Sequence, residues 1–260
     1  MNVGWFARDT TSVARGDGVR DLTFSDRWVT PLGRVNGGFV LAALLRGLAD
    51  ELGRDDPLVA SITYLSGAPL GPVEIHCRPL RIGRRVQTGQ ADLVVDGRTY
   101  ATLVASFGAR TAGQSYLRLE PPVLPPPEDC LDPLPPSMPR VGLLARVEFA
   151  NPDKPGWALG EPSGDAYVEG WQRLEGGAPI DLIGLAFLTD TFVSTCYELG
   201  EFATTTVQLT VHLHHEPAPG WVATRMSTDH LDGGFHDENC QIWDTEGRLV
   251  AQARQLQILV

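Results

Sequence analysis

The chain has 260 residues, enough for one large domain or two small ones, and its hydrophobic fraction of 43% is ordinary for a globular protein. Its formal net charge of −11 argues against a general nucleic-acid or anionic-membrane binder, because both need basic surface. No apolar run approaches the roughly 18 residues of a membrane-spanning helix, so the sequence predicts no membrane span.

The first half of the chain predicts one buried helix followed by an antiparallel meander. The first twenty residues are polar and predict an arm or a short edge strand, and Asp21–Val29 has mixed strand character. An Asn-Gly-Gly turn at 36–38 precedes a helix predicted over Phe39–Leu52, which Gly53 ends. Four strand-like runs separated by hairpin residues follow: Leu58–Leu65, Val73–Leu80, Arg85–Val95 and Thr99–Phe107.

A proline-rich segment, Glu120–Arg140, divides the chain. Proline this dense cannot continue a helix or an inner strand, so the segment predicts an extended linker. The second half predicts two strands, then a helix, and then four more strands. The predicted strands are Val141–Ala150, Ala166–Leu174, Thr204–His214, Trp221–Asp229, Phe235–Trp243 and Arg248–Leu259.

The helix predicted within 178–197 is apolar on nearly every face, and Pro179 can occupy its first turn. A helix that is apolar all round is enclosed by other elements rather than laid on a surface. One acid, Asp190, interrupts the apolar run. Because a buried carboxylate is costly unless it is paired, we expect a sheet to wrap this helix and Asp190 to mark the site of chemistry.

The two halves repeat each other at an offset of 149 to 150 residues. Gly71-Pro72-Val73 corresponds to Gly220-Trp221-Val222, Gly83 to Gly233, and the Asp-Gly-Arg turn at 96–98 to Glu-Gly-Arg at 246–248. A constant register through three turns predicts a duplicated helix-plus-sheet unit. We therefore predict an N-terminal unit over 1–119, a linker over 120–140 and a C-terminal unit over 141–260.

A helix clasped by an antiparallel meander and duplicated in tandem resembles the double hot-dog fold. The motifs NGGFVLAALLRGL, FLTDTF, TTVQLTVHL and GRLVAQARQ are similar to those of the acyl-CoA thioesterase II-like family, and the similarity covers most of both halves. The resemblance implies an α+β class, a tandem double hot-dog in which each half has a long central helix wrapped by an antiparallel β-sheet. It also implies an enzyme of lipid metabolism that hydrolyses a fatty acyl-CoA to free fatty acid and coenzyme A.

In that family an Asp, a Thr and a Gln carry the hydrolysis, and the resemblance places these roles on Asp190 of FLTDTF, Thr206 and Gln255. Thr204–Thr206 are consecutive, so a slip of one residue moves the threonine role to Thr205. The glutamines that flank Gln255 and fit the register less well are Gln252 and Gln257.

Thioester hydrolysis needs an activated water and a means of stabilising the oxyanion that forms at the carbonyl. Asp190 in an apolar setting can accept a proton from water, and Thr206 and Gln255 can direct that water towards the carbonyl carbon. The resemblance implies direct attack by water without an acyl-enzyme. The absence of a G-x-S-x-G motif agrees, since it disfavours an α/β-hydrolase serine.

Strand alternation conflicts with the role of Thr206. It places Val207, Leu209, Val211 and Leu213 on the side that faces the helix and Thr206 on the other side. Either a β-bulge re-aims Thr206, or the site lies at the start of the strand, where the alternation loosens.

The sequence offers little for metal or disulfide chemistry. Its four cysteines are far apart and form no CxxC pair, which fits reduced thiols in a cytoplasmic protein, and the N-terminus has no signal-peptide pattern. His212, His214 and His215 lack an acid or cysteine at a convincing spacing, so we interpret them as a polar outer strand or an interface between the units. We expect no metal and no cofactor.

Other interpretations differ in the site that they require. An inactive acyl-binding or coenzyme-A-binding module would not need an intact Asp–Thr–Gln set. A hot-dog enoyl-CoA hydratase would need an Asp–His pair at a helix start, and neither predicted helix contains a histidine. The basic cluster Arg78, Arg81, Arg84 and Arg85 could meet coenzyme A phosphates or could be solvated strand ends. We also expect a homo-oligomer, because hot-dog units usually pair.

Overall fold

The computed structural model describes residues 4–260, and its first half contains two helices and six strands within that range. A short helix and a hairpin come first, and a long helix and four antiparallel strands follow, of which the last three form a meander. These elements are α1 (Trp5–Thr10), β1 (Val13–Gly16), β2 (Val19–Phe24), α2 (Gly37–Leu52), β3 (Pro57–Tyr64), β4 (Gly71–Ile82), β5 (Gln87–Val95) and β6 (Arg98–Phe107).

The second half repeats the plan with shorter helices. Its elements are β7 (Val147–Ala150), α3 (Gly156–Leu159), β8 (Tyr167–Leu174), α4 (Leu182–Leu188), β9 (Thr204–Leu213), β10 (Val222–Ser227), β11 (Leu231–Asp232), β12 (Phe235–Trp243) and β13 (Leu249–Leu259). Along residues 4–260, no helix has both the length and the apolar character needed to cross a bilayer.

A single antiparallel sheet runs through both halves. Its strand order is β1-β2-β4-β5-β6-β3-β9-β13-β12-β10-β8-β7, with β11 paired to β12. The halves join where β3 pairs with β9, and at the centre of this joint Ser61 lies opposite Thr210 with their hydroxyl oxygens 2.7 Å apart. These two residues differ by 149 positions, which is the repeat offset. A pseudo-two-fold axis therefore passes through this pair, and the predicted duplication is confirmed.

The helix α2 lies against the first half of the sheet and is almost wholly buried. It begins at Asn36, whose side-chain oxygen accepts a hydrogen bond from the Phe39 N–H. It ends at Gly53, which adopts a left-handed conformation with φ of 62°. The glycine stop acts as the sequence predicts, whereas Gly37 and Gly38 belong to the first turn of α2, so the helix begins two residues before the predicted start at Phe39.

The second-half helix is shorter than the apolar run indicates. All seven residues of α4 are buried, and the Asp181 side chain caps its start by accepting from the Gly184 N–H at 2.6 Å. At its end, the Thr189 hydroxyl donates to the Ala186 carbonyl and the Thr191 hydroxyl donates to the Leu188 carbonyl. Such local hydrogen bonds compete with helix continuation, so the helix predicted within 178–197 stops at Leu188 and the chain turns at Asp190.

Two further segments differ from the sequence-based expectation. The first twenty residues contain the helix α1 as well as an edge hairpin, because the Phe6 side chain inserts into the core. The strand predicted over Val141–Ala150 is confined to β7, and a 3-10 turn at Gly142–Ala145 precedes it.

The proline-rich segment is extended, as predicted, apart from a 3-10 turn at Pro127–Asp129. It lies along the second half of the sheet, where the Trp171 indole N–H donates to the Pro125 carbonyl and Arg225 donates to the Glu120 carbonyl. Leu119, just before the segment, and Leu124, within it, pack against a small cluster around Trp243. The unit boundaries at 119 and 140 remain a prediction.

An aromatic cluster joins α1, α2 and α4 inside the sheet. The Trp28 ring stacks on Phe39 with centroids 4.6 Å apart, and Phe6 stacks on Phe187 at 4.9 Å. Trp28 also meets Phe187 edge to face at 5.5 Å. The contact between the two helices is thus built from rings contributed by both halves and by the N-terminal helix.

We expect Phe187→Ala to lower the free energy of unfolding by about 3–5 kcal/mol, because it leaves a cavity in this cluster. Urea denaturation followed by circular dichroism would measure the loss. The control is Val104→Ala, at a side chain that is 38% exposed, where we expect a change within about 0.5 kcal/mol. Equal losses in the two variants would contradict the role of the cluster.

Candidate active site

A cavity of about 480 Å³ opens where the start of α2, the end of α4 and the strands β9, β12 and β13 meet. Asp190, Thr206 and Gln255 all line it. The structure therefore brings the three predicted residues together around one space. The first half supplies the facing wall, which includes Asn36, Gly37 and Tyr64.

The Asp190 carboxylate is held by the N-terminus of α2. Its Oδ2 accepts from the Gly38 N–H at 2.6 Å and from the Asn36 side-chain amide at 3.2 Å. The same amide donates to the Asp190 carbonyl at 2.9 Å. A helix N-terminus favours a negative charge, since its first N–H groups lack partners within the helix.

Burial raises the pKa of Asp190 to about 7, even though three donors favour the ionised form. Hydrogen bonds from Gly38, Asn36 and Gln255 lower the pKa, whereas the nearby charge of Glu238 raises it. Desolvation outweighs the donors in this balance. The carboxyl group therefore exchanges its proton close to neutral pH.

A β-bulge brings Thr206 into the cavity. In the pairing of β9 with β13, Leu256 lies opposite Gln208 and Gln257 lies opposite Thr206, so Val207 has no partner. The Thr206 hydroxyl consequently reaches the Gln255 side-chain oxygen at 2.9 Å. Of the two alternatives raised by the strand alternation, the structure has the bulge.

The neighbouring candidates lie differently. Thr205 is exposed. The Gln252 side-chain oxygen lies 3.1 Å from His214 Nε2, at a distance from the cavity lining. Gln257 does line the cavity, and its amide donates to Glu238 at 2.8 Å.

Glu238 is a second buried acid at the site, and sequence analysis missed it. It is 2% exposed, and one of its oxygens accepts from the Gln255 and Gln257 amides at 2.7 and 2.8 Å. The other accepts from the Thr195 N–H and hydroxyl at 2.7 and 3.0 Å. The sequence does contain a signal for Glu238, because alternation in the predicted strand Phe235–Trp243 places this acid on the buried face with Cys240.

The first half contributes Tyr64, from a predicted strand, and the residues that the sequence identified only as a turn. The Tyr64 hydroxyl donates to the Gly37 carbonyl at 2.8 Å, and burial together with the Asp190 charge raises the pKa of Tyr64 well above its usual value. In the first turn of α2, the Gly38 N–H binds Asp190 and the Phe39 N–H binds the Asn36 cap. The remaining N–H of this turn, on Gly37, belongs to a residue that lines the cavity.

Within the described range of 4–260, the arginine that lines the cavity is Arg34. The cluster Arg78, Arg81, Arg84 and Arg85 surrounds the hairpin between β4 and β5, at the end of the sheet opposite the site. Across the same residues no group of three or more histidine, cysteine, aspartate or glutamate side chains has metal-binding geometry.

The pseudo-symmetric position is occupied by an ion pair. At the start of α4, the cap residue Asp181 corresponds to Asn36 at the start of α2, and its carboxylate binds Arg46 of α2 at 2.9 Å. Arg46 also donates to the Thr10 hydroxyl of α1 at 2.8 Å. An arginine of α2 therefore contacts the start of α4, whereas the acid Asp190 contacts the start of α2, and α1 packs beside this second junction.

Comparison with known proteins agrees with this architecture. Residues 25–108 match the acyl-CoA thioesterase N-terminal domain, and residues 127–259 match the acyl-CoA thioesterase C-terminal domain. Together the matches span most of the chain and both sides of the cavity.

Similar whole proteins are known. A solved structure of a candidate thioesterase II from Thermobifida fusca YX has a TM-score of 0.88 and 28% identity over 98% of each chain. A hot-dog protein of unknown function from Alicyclobacillus acidocaldarius has a TM-score of 0.90 and 22% identity over 98% of this chain and 97% of that one. An uncharacterised Mycobacterium tuberculosis protein is 24% identical over 86% of this chain and 85% of its own. The predicted α+β double hot-dog fold is confirmed.

We expect Gly38→Ala to lower stability by about 1–3 kcal/mol, because the added methyl group overpacks the junction between the helices. A Cβ there would lie 2.7 Å from the Phe187 carbonyl oxygen and 2.9 Å from the Asp190 Cβ. The matched control is Gly113→Ala, where a Cβ has no neighbour within 4 Å. Thermal unfolding of both variants tests this, and equal midpoints would show that the junction tolerates a side chain.

Proposed function

The chain belongs to the acyl-CoA thioesterase family, and we propose that it hydrolyses a fatty acyl-CoA thioester to a free fatty acid and coenzyme A. The observation that carries the proposal is one cavity lined by Asp190, Thr206 and Gln255, in which the carboxyl pKa is about 7. Thioester hydrolysis needs a base that works near neutral pH, a positioned water and a donor for the oxyanion.

Asp190 is the proposed general base. At neutral pH about half of a carboxyl group with a pKa of about 7 is ionised, and the ionised form can take a proton from water. Its Oδ2 accepts from Gly38 and Asn36, which fixes the carboxylate plane, and the ionised group has further lone pairs that can accept from the water. The water then attacks the thioester carbon directly, and the thiolate of coenzyme A leaves.

Thr206 and Gln255 are proposed to orient that water. The Thr206 hydroxyl donates its hydrogen to Gln255, so its free lone pairs can accept a hydrogen bond from water. With one hydrogen directed to Asp190 and the other to Thr206, a lone pair of the water oxygen points away from both and towards the substrate carbonyl.

The proposed oxyanion donor is the Gly37 N–H at the start of α2. Its neighbours in the first turn already have acceptors, and the positive end of a 16-residue helix favours negative charge there. The donor and the base thus come from opposite halves of the chain.

The remaining cavity wall suits an acyl thioester. Apolar side chains from α2, from β5 and from the segment before β7 line it, namely Val40, Leu93, Leu143 and Leu144. Arg34 is exposed at the same cavity and is our candidate for a phosphate of coenzyme A. A cytoplasmic location and a homo-oligomeric assembly are further proposals.

The alternatives fit less well. A hydratase would need a histidine beside the acid, and no histidine of the described chain lines the cavity. An inactive acyl-binding module would retain the apolar wall but would have no need for a carboxyl group held at a pKa of about 7.

We expect purified protein to release free thiol from one part of a ladder of acyl-CoAs from acetyl to palmitoyl. Asp190→Asn should lower kcat by about 10²–10⁴, the usual effect of removing a positioned base. A control is Asp232→Asn, which removes an exposed carboxylate from β11. If the wild type, Asp190→Asn and Asp232→Asn all bind acyl-CoA and none releases thiol, the hydrolase proposal is wrong and the acyl-binding module is the better interpretation.

We also expect kcat/KM to fall by about tenfold per pH unit below the pKa of Asp190 and to level off above it. The direction follows because the base works only when ionised, and burial raises this pKa to about 7. A profile of kcat/KM from pH 5 to 9 measures the pH at which this acid limb begins. A limb near pH 4, the region of an ordinary aspartate, would contradict the assignment of Asp190 as the base.

A further inference from the structure

The Glu238 carboxylate is the most enclosed acid at the site, and the proposed chemistry leaves it without a role. It lies in the middle of β12, is 2% exposed, and accepts four hydrogen bonds from Thr195, Gln255 and Gln257. A buried acid that receives four donors is organised for the ionised form. Removing this carboxylate from water costs free energy, so a functional role would explain why it is there.

Glu238 determines which way the Gln255 amide faces. A side-chain amide has a donor end and an acceptor end that can exchange by rotation. The carboxylate can only accept when ionised, so it requires the Gln255 NH₂ group on its side, at 2.7 Å, and the hydrogen bond from Gln255 to Asp190 favours the same orientation. The Gln255 oxygen must then face Thr206, at 2.9 Å.

The direction of that second hydrogen bond matters for the water. With the Gln255 oxygen facing it, the Thr206 hydroxyl acts as donor, and its lone pairs remain for the water. With the amide reversed, the hydroxyl would accept from Gln255 and turn its hydrogen into the cavity. The water would then have to accept from Thr206, and its lone pair would no longer point to the carbonyl carbon.

Resting on the proposed function, we propose that Glu238 is a positioning residue that sets the direction of the chain water–Thr206–Gln255 and supplies a negative charge beside Asp190. It acts through Gln255 and through its electric field, and it does not touch the reacting atoms. Nothing in the apolar and polar pattern of a single strand reveals this coupling, because its partners come from β9, β13 and the Thr195 turn.

The groups around the two acids are consistent with a field effect of Glu238 on Asp190. The Glu238 charge raises the pKa of Asp190, and burial raises the pKa of Glu238 itself, which the Thr195 donors and the nearby His236 oppose. The other titratable neighbours have pKa values raised chiefly by burial, so they stay neutral near pH 7: Tyr64, Cys196 and Cys240.

Two substitutions separate the two effects. Glu238→Gln removes the charge and permits Gln255 to reverse, so we expect kcat to fall about tenfold and the acid limb of kcat/KM to move about one pH unit lower. Glu238→Asp keeps the charge but withdraws the acceptor by one methylene, so kcat should fall while the limb stays within a few tenths of a unit of its original position.

The matched control is Asp237→Asn, which removes one charge from the same strand. The Asp237 carboxylate binds Arg254 at 2.6 Å and the backbone N–H of His230 at 3.0 Å, so it lies outside the network. We expect this variant to leave the limb in place. Circular dichroism and urea midpoints establish that each variant is folded before its kinetics are compared.

A direct titration decides the electrostatic part even if no acyl-CoA is hydrolysed. The ¹³C resonance of the Asp190 carboxyl, assigned by its loss in Asp190→Asn, should titrate about one unit lower in Glu238→Gln than in wild type. If wild type shows no thioesterase activity but this shift occurs, the proposed function fails and the field effect of Glu238 stands.

The kinetic comparison has an equally clear opposite result. Suppose that the wild type is active, and that Glu238→Gln and Asp237→Asn have the same acid limb in kcat/KM and the same Asp190 titration midpoint. This result would overturn the role of Glu238 and leave the proposed thioesterase activity intact. If only the expected fall of kcat in Glu238→Asp did not occur, the proposal that Glu238 orients Gln255 would be wrong, and its electrostatic effect on Asp190 would remain.

Discussion

The contact between the first turn of α2 and the Asp190 carboxylate is the interaction on which the rest of the structure depends. The Gly38 N–H reaches that carboxylate at 2.6 Å only because the residue has no side chain to hold the helices apart. The contact joins the two halves of the chain through residues that are 152 positions apart in sequence. It positions an acid at the positive end of a helix and against an apolar wall, where hydrogen bonding and desolvation act in opposite directions on its pKa.

That opposition gives the carboxyl group its chemistry. Donors alone would lower the pKa of Asp190 from its usual value, whereas burial alone would raise it. The resulting pKa is about 7, and the charge of the second acid, Glu238, raises it in the same direction as burial does. The same acid anchors the Gln255 amide, so electrostatics and hydrogen-bond direction at this site have a common origin.

Duplication explains why the chain has one such junction rather than two. The pseudo-two-fold axis at Ser61 and Thr210 relates the start of α2 to the start of α4. At the second junction Asp181 binds Arg46, and α1 packs over it through Phe6 and Thr10. A salt bridge between an exposed acid and a partly buried arginine links the two helices there. The two junctions have thus diverged, and both halves contribute residues to the one that contains Asp190.

The sequence by itself determined the existence and order of most strands, the duplication, the all-apolar character of the second-half helix and the acid that follows it, because hydrophobic periodicity and turn residues are local signals. It also indicated that Thr206 faces the wrong way in a regular strand. Only the tertiary structure decided that a bulge at Val207 re-aims it, that α4 ends at Leu188, and that Asn36, Gly38 and Glu238 surround the acid. Those outcomes depend on pairing between strands and on contacts between halves, and neither is encoded in the period of any single segment.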